Sequence, residues 1–256
     1  MLYSSEIWGK FDVTSRITRS KNNVIFNVFQ NSKIYKLNAQ FNKYVLGIGK
    51  KASYWAVVGE LGRYPLYIDI IISMIKYWIH LHDDTSSPIL RAALDEHYGM
   101  FQSDQLCWVT CIHIILKELN LLKIVYSPIS CGNKEINELK HRLKDDFAQI
   151  WNTNINLVKF NNTTNRNENK LRTYSKFKTI FKQEEYLNIK DFKMRSILTR
   201  FRISAHKLEI EIARYTTPKT PLENRLCKQC NSSEIEDEEH FLINCPKYNL
   251  HRKIFV

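Results

Sequence analysis

The run Leu66–Leu81, LYIDIIISMIKYWIHL, is the most apolar stretch of the chain, and its reading decides between a membrane protein and a water-soluble helical one. Asp69, Ser73, Lys76 and His80 recur in it at steps of four, three and four. On an α-helix these positions fall in one polar stripe and leave the rest of the surface apolar. A membrane span needs about twenty residues free of such a stripe, so the run is a mostly buried helix of a soluble fold. On either side the pattern repeats. Ile34 to Leu46 has helical spacing, and Gly47-Ile48-Gly49 ends it. Gly59-Glu60-Leu61-Gly62-Arg63-Tyr64-Pro65 is expected to turn the chain into the Leu66 helix, with Pro65 where a first helical turn tolerates it. Leu106 to Leu122 carries Thr110, His113, Lys117 and Asn120 as its polar stripe. Cys107 and Cys111, one turn apart on that helix, read as core thiols, and Cys131 as equally inert. The predicted fold class is mainly α, with a helical domain over residues 1–160.

The second half differs in composition. Asn161–Lys170 (NNTTNRNENK) is polar and without periodicity, which predicts a flexible linker over 161–170. Beyond it, a basic helical segment is expected over 171–222. Tyr174, Phe177 and Phe181 mark a core stripe, and Met194, Ile197, Leu198, Phe201, Ala205, Leu208 and Ile212 follow helical steps as one long amphipathic helix. From Lys170 to Arg202 ten basic residues stand against three acidic ones, more than half of the chain's excess of +12. Lysine and arginine supply sequence-independent phosphate contacts, but the same pattern describes a solvated basic face over a buried aromatic stripe.

The chain closes on Cys227-Lys228-Gln229-Cys230, then His240 and Cys245, in the spacing C-x2-C-x9-H-x4-C. Two thiolates on a C-x-x-C turn can grip one metal while a histidine and a cysteine on the next helix complete a tetrahedron. The expected cofactor is one structural Zn2+ on Cys227, Cys230, His240 and Cys245, within a small module over 223–256. Four ligands leave no open position for water. Glu234, Glu236, Asp237, Glu238 and Glu239 are expected to form the acidic first turn of the helix that carries His240.

At 256 residues, 44% hydrophobic and 12% aromatic, the chain can bury a substantial core. Its charge favours a polyanionic partner. No charged leader or long apolar run opens the sequence, so an intracellular protein of nucleus or cytoplasm with reduced thiols is expected, without a membrane partner. No Walker loop, nucleophile elbow or HExxH motif points to a small-molecule substrate.

Several motifs together resemble the C-terminal part of reverse transcriptase-like proteins of non-LTR (LINE-type) retrotransposons. Met1-Leu-Tyr-Ser-Ser-Glu-Ile-Trp-Gly9 looks like the segment opening the region after the polymerase palm. Phe41-Asn-Lys-Tyr-Val-Leu-Gly47, Gly59–Leu66 and Lys170–Lys178 look like motifs that follow it. Arg202–Glu211, Arg214-Tyr215, the four ligands with Glu238–Leu242, and Cys245-Pro-Lys-Tyr248 look like the closing module. The resemblance implies a thumb-like helical region, a basic helix and a zinc module that hold template RNA or target DNA. Lys176, Lys178, Lys182, Arg195 and Arg202 are the contact candidates. A polymerase needs paired carboxylates on a β-hairpin to hold two metal ions. Asp83-Asp84 runs into a loop and Asp145-Asp146 lies in a charged helical stretch, so no catalytic residue is assigned and a palm-less fragment is expected. A first alternative is a structural or protein-interaction remnant, in which zinc only holds a small fold; a second is an active enzyme whose palm is encoded in an upstream reading frame.

Overall fold

The computed structural model describes residues 26, 29, 30, 32–83, 86–105, 107–161 and 166–254. The opening motif Met1–Gly9, Asp84 of the first acidic pair and Leu106 lie outside the described residues. The fold is mainly α, as expected, with helices α1 (Lys33–Val45), α2 (Tyr54–Leu61), α3 (Tyr67–Leu81), α4 (Pro88–Gln102), α5 (Trp108–Glu118), α6 (Lys123–Tyr126) and α7 (Asn133–Ile155). A hairpin of β1 (Lys159–Asn161) and β2 (Arg166–Glu168) follows, then α8 (Arg172–Phe177), α9 (Phe192–Arg202), α10 (Glu209–Ile212) and α11 (Asn249–Arg252). The polar stretch expected as a linker thus has its ends paired, with Lys159 opposite Glu168 and Asn161 opposite Arg166. Asparagine- and threonine-rich sequence is turn composition as well as linker composition.

The residues group into two compact units, and the chain alternates between them. Of the described residues, the first holds those up to Ala39 and within Tyr64–Ile150; the second holds Gln40–Arg63 and those from Trp151 on. This order departs from the linear series of domains expected above. The reason lies in α2, where Ala56, Val57, Val58, Gly59 and Glu60 are all buried. A helix with no exposed face needs cover all round, and residues from Trp151 onward supply it.

In the first unit α3 presents Asp69, Ser73, Lys76 and His80 to solvent, while Ile68, Ile71, Ile75 and Trp78 are buried. Helix α5 ends at Glu118, short of Leu122, because Asn120 takes a left-handed φ of 55° that closes the helix. Cys107 and Cys111 are buried, and burial pushes the Cys111 thiol up to about 12, so it stays protonated.

The Gly59–Pro65 motif, whose first five residues belong to the second unit, is helix first and turn second: Gly59 and Glu60 belong to α2, and Gly62, at φ 56°, ends it. A Cβ on Gly59 would stand 2.6 Å from Tyr174 Oη and 2.7 Å from Trp151 Nε1. Those two groups approach because they donate to the α2 carbonyls of Ala56 and Trp55, at 3.2 and 2.9 Å. At Gly62 a Cβ would stand 2.2 Å from the Gln183 backbone nitrogen, where Leu61 and Gln183 form an antiparallel bridge.

Helix α9 inverts the expectation drawn from its apolar spacing. Met194, Ile197 and Leu198 face solvent, and the buried positions are Ser196 and Thr199. The helix docks through hydroxyls and backbone. Ser196 Oγ and Arg200 Nη2 both donate to the Gly47 carbonyl at 2.8 Å, and Thr199 Oγ1 lies 2.9 Å from Tyr186 Oη. Nor does the helix continue to Ile212. It stops at Arg202, with Ser204 at φ 53°, and α10 is a separate turn. Phe177 is likewise exposed, under the Arg202 guanidinium at 4.6 Å from its ring centre.

Replacing Gly59 or Gly62 by alanine is expected to destabilise the chain by about 2–3 kcal/mol, through overpacking at both sites and left-handed backbone at Gly62. Gly49→Ala, whose Cβ meets nothing within 4 Å, should change stability by less than about 0.5 kcal/mol. Urea midpoints of the three variants check this.

Candidate metal centre

Arg225 and Glu236 frame the centre through backbone pairing. Glu236 N donates to Arg225 O at 2.9 Å and Cys227 N to Glu234 O at 2.8 Å, around an antiparallel bridge of Leu226 with Ile235. This is the short hairpin that a C-x-x-C turn favours, and Gln229 N donates to Cys227 Sγ at 3.4 Å across it. Asp237 then accepts from His240 N at 2.8 Å and starts the helical turn His240–Asn244. That turn is wound wide, with Cys245 N donating to His240 O at 2.7 Å. A five-residue repeat stacks position 245 over 240, which brings both ligands to one side.

The four donor atoms of Cys227, Cys230, His240 and Cys245 all lie within 4.8 Å of one another. Cys227 Sγ and Cys245 Sγ are 4.0 Å apart, and Cys230 Sγ is 3.3 Å from His240 Nε2. Metal–sulfur bonds of about 2.3 Å in a tetrahedron set sulfur–sulfur edges of about 3.8 Å, so the cluster fits one metal ion. Cys227, Cys245 and His240 are buried, and Cys230 is partly exposed.

Glu234 has a more specific place than the acidic turn expected of it. Its Oε2 lies 2.7 Å from His240 Nδ1. With Nδ1–H donating to this carboxylate, the Nε2 lone pair faces the cysteines, the usual support for a metal-ligating histidine. In the metal-free chain, hydrogen bonding from Ser232 brings the Cys230 thiol down to about 6, whereas burial pushes Cys227 up to about 11. Burial alone would lower the His240 imidazole, but its hydrogen bonds to Cys230 and Glu234 raise it. The sequence signal for Glu234 was there, an acid between the two ligand pairs; its partner was not.

Glu236 and Glu238 also do more than make an acidic first turn. Both are buried. Glu236 Oε2 accepts from Glu209 N at 2.8 Å at the start of α10. Glu238 accepts from Arg172 Nη2 (2.9 Å), Thr173 Oγ1 (3.0 Å), Ser204 Oγ (2.8 Å) and His206 Nε2 (2.9 Å). Burial by itself would raise this carboxyl, yet the His206 hydrogen bond and the Arg172 charge hold it down at about 2. The metal cluster is thereby tied to α8 and to the loop after α9.

The expected contact residues separate into two sets. Lys176 and Lys182 are exposed, and Arg195 is half-buried with a bond to the Ile189 carbonyl at 2.9 Å. Lys178 and Arg202 turn inward. Glu60 is fully buried, and Arg202 grips it with Nε at 2.7 Å and Nη2 at 3.2 Å. Arg202 also reaches Glu184 at 2.8 Å, while Lys178, 2% exposed, pairs with Glu184 and donates to Lys182 O at 2.7 Å. A buried carboxylate requires such partners, so these two cations are withdrawn from the candidate contacts.

No protein-family model, curated protein or solved structure matches the chain. Among the described residues, no helix is long and apolar enough to cross a membrane.

Cobalt(II) added to the reduced chain should bind with one equivalent and give the thiolate charge-transfer bands of a tetrahedral site. Cys227→Ser should lose them and Cys131→Ser should keep them. Glu234→Ala is expected to weaken metal affinity about 10–100-fold, by loss of the carboxylate that orients the histidine. Competition with a chromophoric chelator reads that change.

Proposed function

We propose that this chain is a palm-less, C-terminal reverse transcriptase-like portion of a retroelement protein that holds one structural zinc ion and binds nucleic acid, without polymerase activity of its own. Three thiolates and an imidazole in a tetrahedral set favour zinc over harder metals. With all four positions filled by protein, the ion organises the fold and activates no water. The observation that carries the binding reading is the set of cations left outside. Lys176, Lys182, Lys190 and Lys193 are exposed and form no ion pair among the described residues, and all belong to the second unit with the metal cluster. Cations unpaired on such a surface are what phosphate contact uses. The setting of such a protein would be intracellular.

One observation favours the second reading, a module that holds protein instead. The apolar stripe of α9 is in solvent, with Met194 at 60% and Ile197 at 53% exposure, and such faces mark interaction sites.

Salt dependence separates the two. Exchanging Lys176, Lys182, Lys190 and Lys193 for glutamate should weaken oligonucleotide binding and flatten the slope of log affinity against log salt by about one for each lost phosphate contact. Unchanged affinity in that variant would overturn the nucleic-acid reading. Arg202→Ala is expected to act on the fold instead, lowering stability by about 3–5 kcal/mol because Glu60 is left buried without its partner; thermal unfolding measures it.

A further inference from the structure

A cleft of about 210 Å3 opens in the second unit between the loop at Gly49–Ala52 and the segment from Ser204 to Tyr215. Its lining combines three chemistries. One wall is apolar, with Ile212 and Tyr215 exposed beside Ala52. One rim is cationic: Lys51 Nζ lies 4.9 Å from the centre of the Tyr215 ring, and Lys170 Nζ lies 3.4 Å from Tyr215 Oη and 3.3 Å from the Lys51 carbonyl oxygen. The third element is Glu211, which lines the cleft at 3% exposure. Both of its carboxylate oxygens are buried without a hydrogen-bond partner. Arg214 Nε and Arg172 Nη1 stand 3.0 and 4.0 Å from Oε1 as ion-pair partners, which offsets the charge on that oxygen and leaves Oε2 as the open acceptor. A buried acceptor without a donor is costly, and such groups are found where a ligand supplies what is missing.

We propose that this cleft is a pocket for one unpaired nucleotide, in which Glu211 accepts from the amino edge of the base, Ile212 and Tyr215 cover its ring, and Lys51 and Lys170 hold its phosphate. A ligand must satisfy all three walls at once. A bare anion would meet the carboxylate, and a bare cation would meet the lysines. A nucleotide whose base carries an exocyclic amino group presents a donor edge, a flat apolar body and a phosphate, in that order, and carboxylates accept from such amino groups. Aromatic walls add stacking that tolerates any base. The nucleotide can come from a single strand or be free in solution, and this inference rests on the nucleic-acid reading above only in the first case.

Calorimetric titration of the full zinc-loaded chain with guanosine, cytidine, adenosine and uridine 5′-monophosphates, with inorganic phosphate, and with a short single-stranded oligonucleotide tests the pocket. The amino-bearing nucleotides are expected to bind about tenfold or more tightly than uridine monophosphate, the scale of one base-edge contact. Glu211→Gln should level that preference. Lys51→Ala and Tyr215→Ala, both at exposed positions, should weaken all nucleotides about equally and keep the test decisive if the Glu211 variant fails to fold. Equal affinity for uridine monophosphate, phosphate and the amino-bearing nucleotides would overturn the proposal, as would unchanged affinity in Lys51→Ala and Tyr215→Ala, or no nucleotide binding at all. Nucleotide binding without salt-dependent oligonucleotide binding would keep the pocket, with a free nucleotide as its ligand, and sink the reading of the preceding section. Oligonucleotide binding without base preference would do the reverse.

Discussion

The carboxylate of Glu60 is the group around which the second unit is built. It has no exposure to water, and an isolated carboxylate in that setting would be neutralised or would unfold the site. Arg202 answers it with two nitrogens, Glu184 answers Arg202, and Lys178 answers Glu184. The charges alternate along the network, so each ion is enclosed by the opposite sign. Tyr174 and Tyr186 border the same charges. Burial and the Glu60 charge raise both phenols far above their usual range, which keeps them neutral. Such networks are weak sources of net stability but unforgiving of a missing member. Here the network dictates which cations can face solvent and which direction α9 must turn.

A second hub, Glu238, performs the same service beside the metal cluster. It gathers donors from α8, from the loop after α9 and from His206. Arg225, also buried and two residues before Cys227, donates to the carbonyls of Ile210 and Thr220. The loop that carries the Cys/His cluster is therefore embedded in the second unit, bonded to residues well outside 223–256.

Much of this was legible from residue pattern alone. The polar stripe of α3 and the ligand spacing of the closing module are local signals, set by helical periodicity and by the reach of a C-x-x-C turn, and both appear where expected. The misreadings share one cause. Periodicity says that Met194, Ile197, Leu198 and Phe201 lie along one side of a helix, not that this side is buried. The docking of α9 is decided by the Gly47 carbonyl and by Glu60, residues some 150 positions away in sequence. Likewise a lysine such as Lys178 counts as surface charge until a buried acid claims it. Gly59 and Gly62 looked like turn glycines, but Gly59 is small because Tyr174 and Trp151 need the space.

The pairing of Glu60 with Arg202 joins residues 142 positions apart, and the segment Gln40–Arg63 shares its unit only with residues from Trp151 on. During synthesis from the ribosome, α2 must therefore wait, apolar on every side and carrying an unanswered acid, until the chain has grown past residue 202. Closing so long a loop is slow compared with local helix formation. The residues of the first unit have all been made by Ile150, earlier than those of the second. Over that interval α2 is a segment that a chaperone would hold.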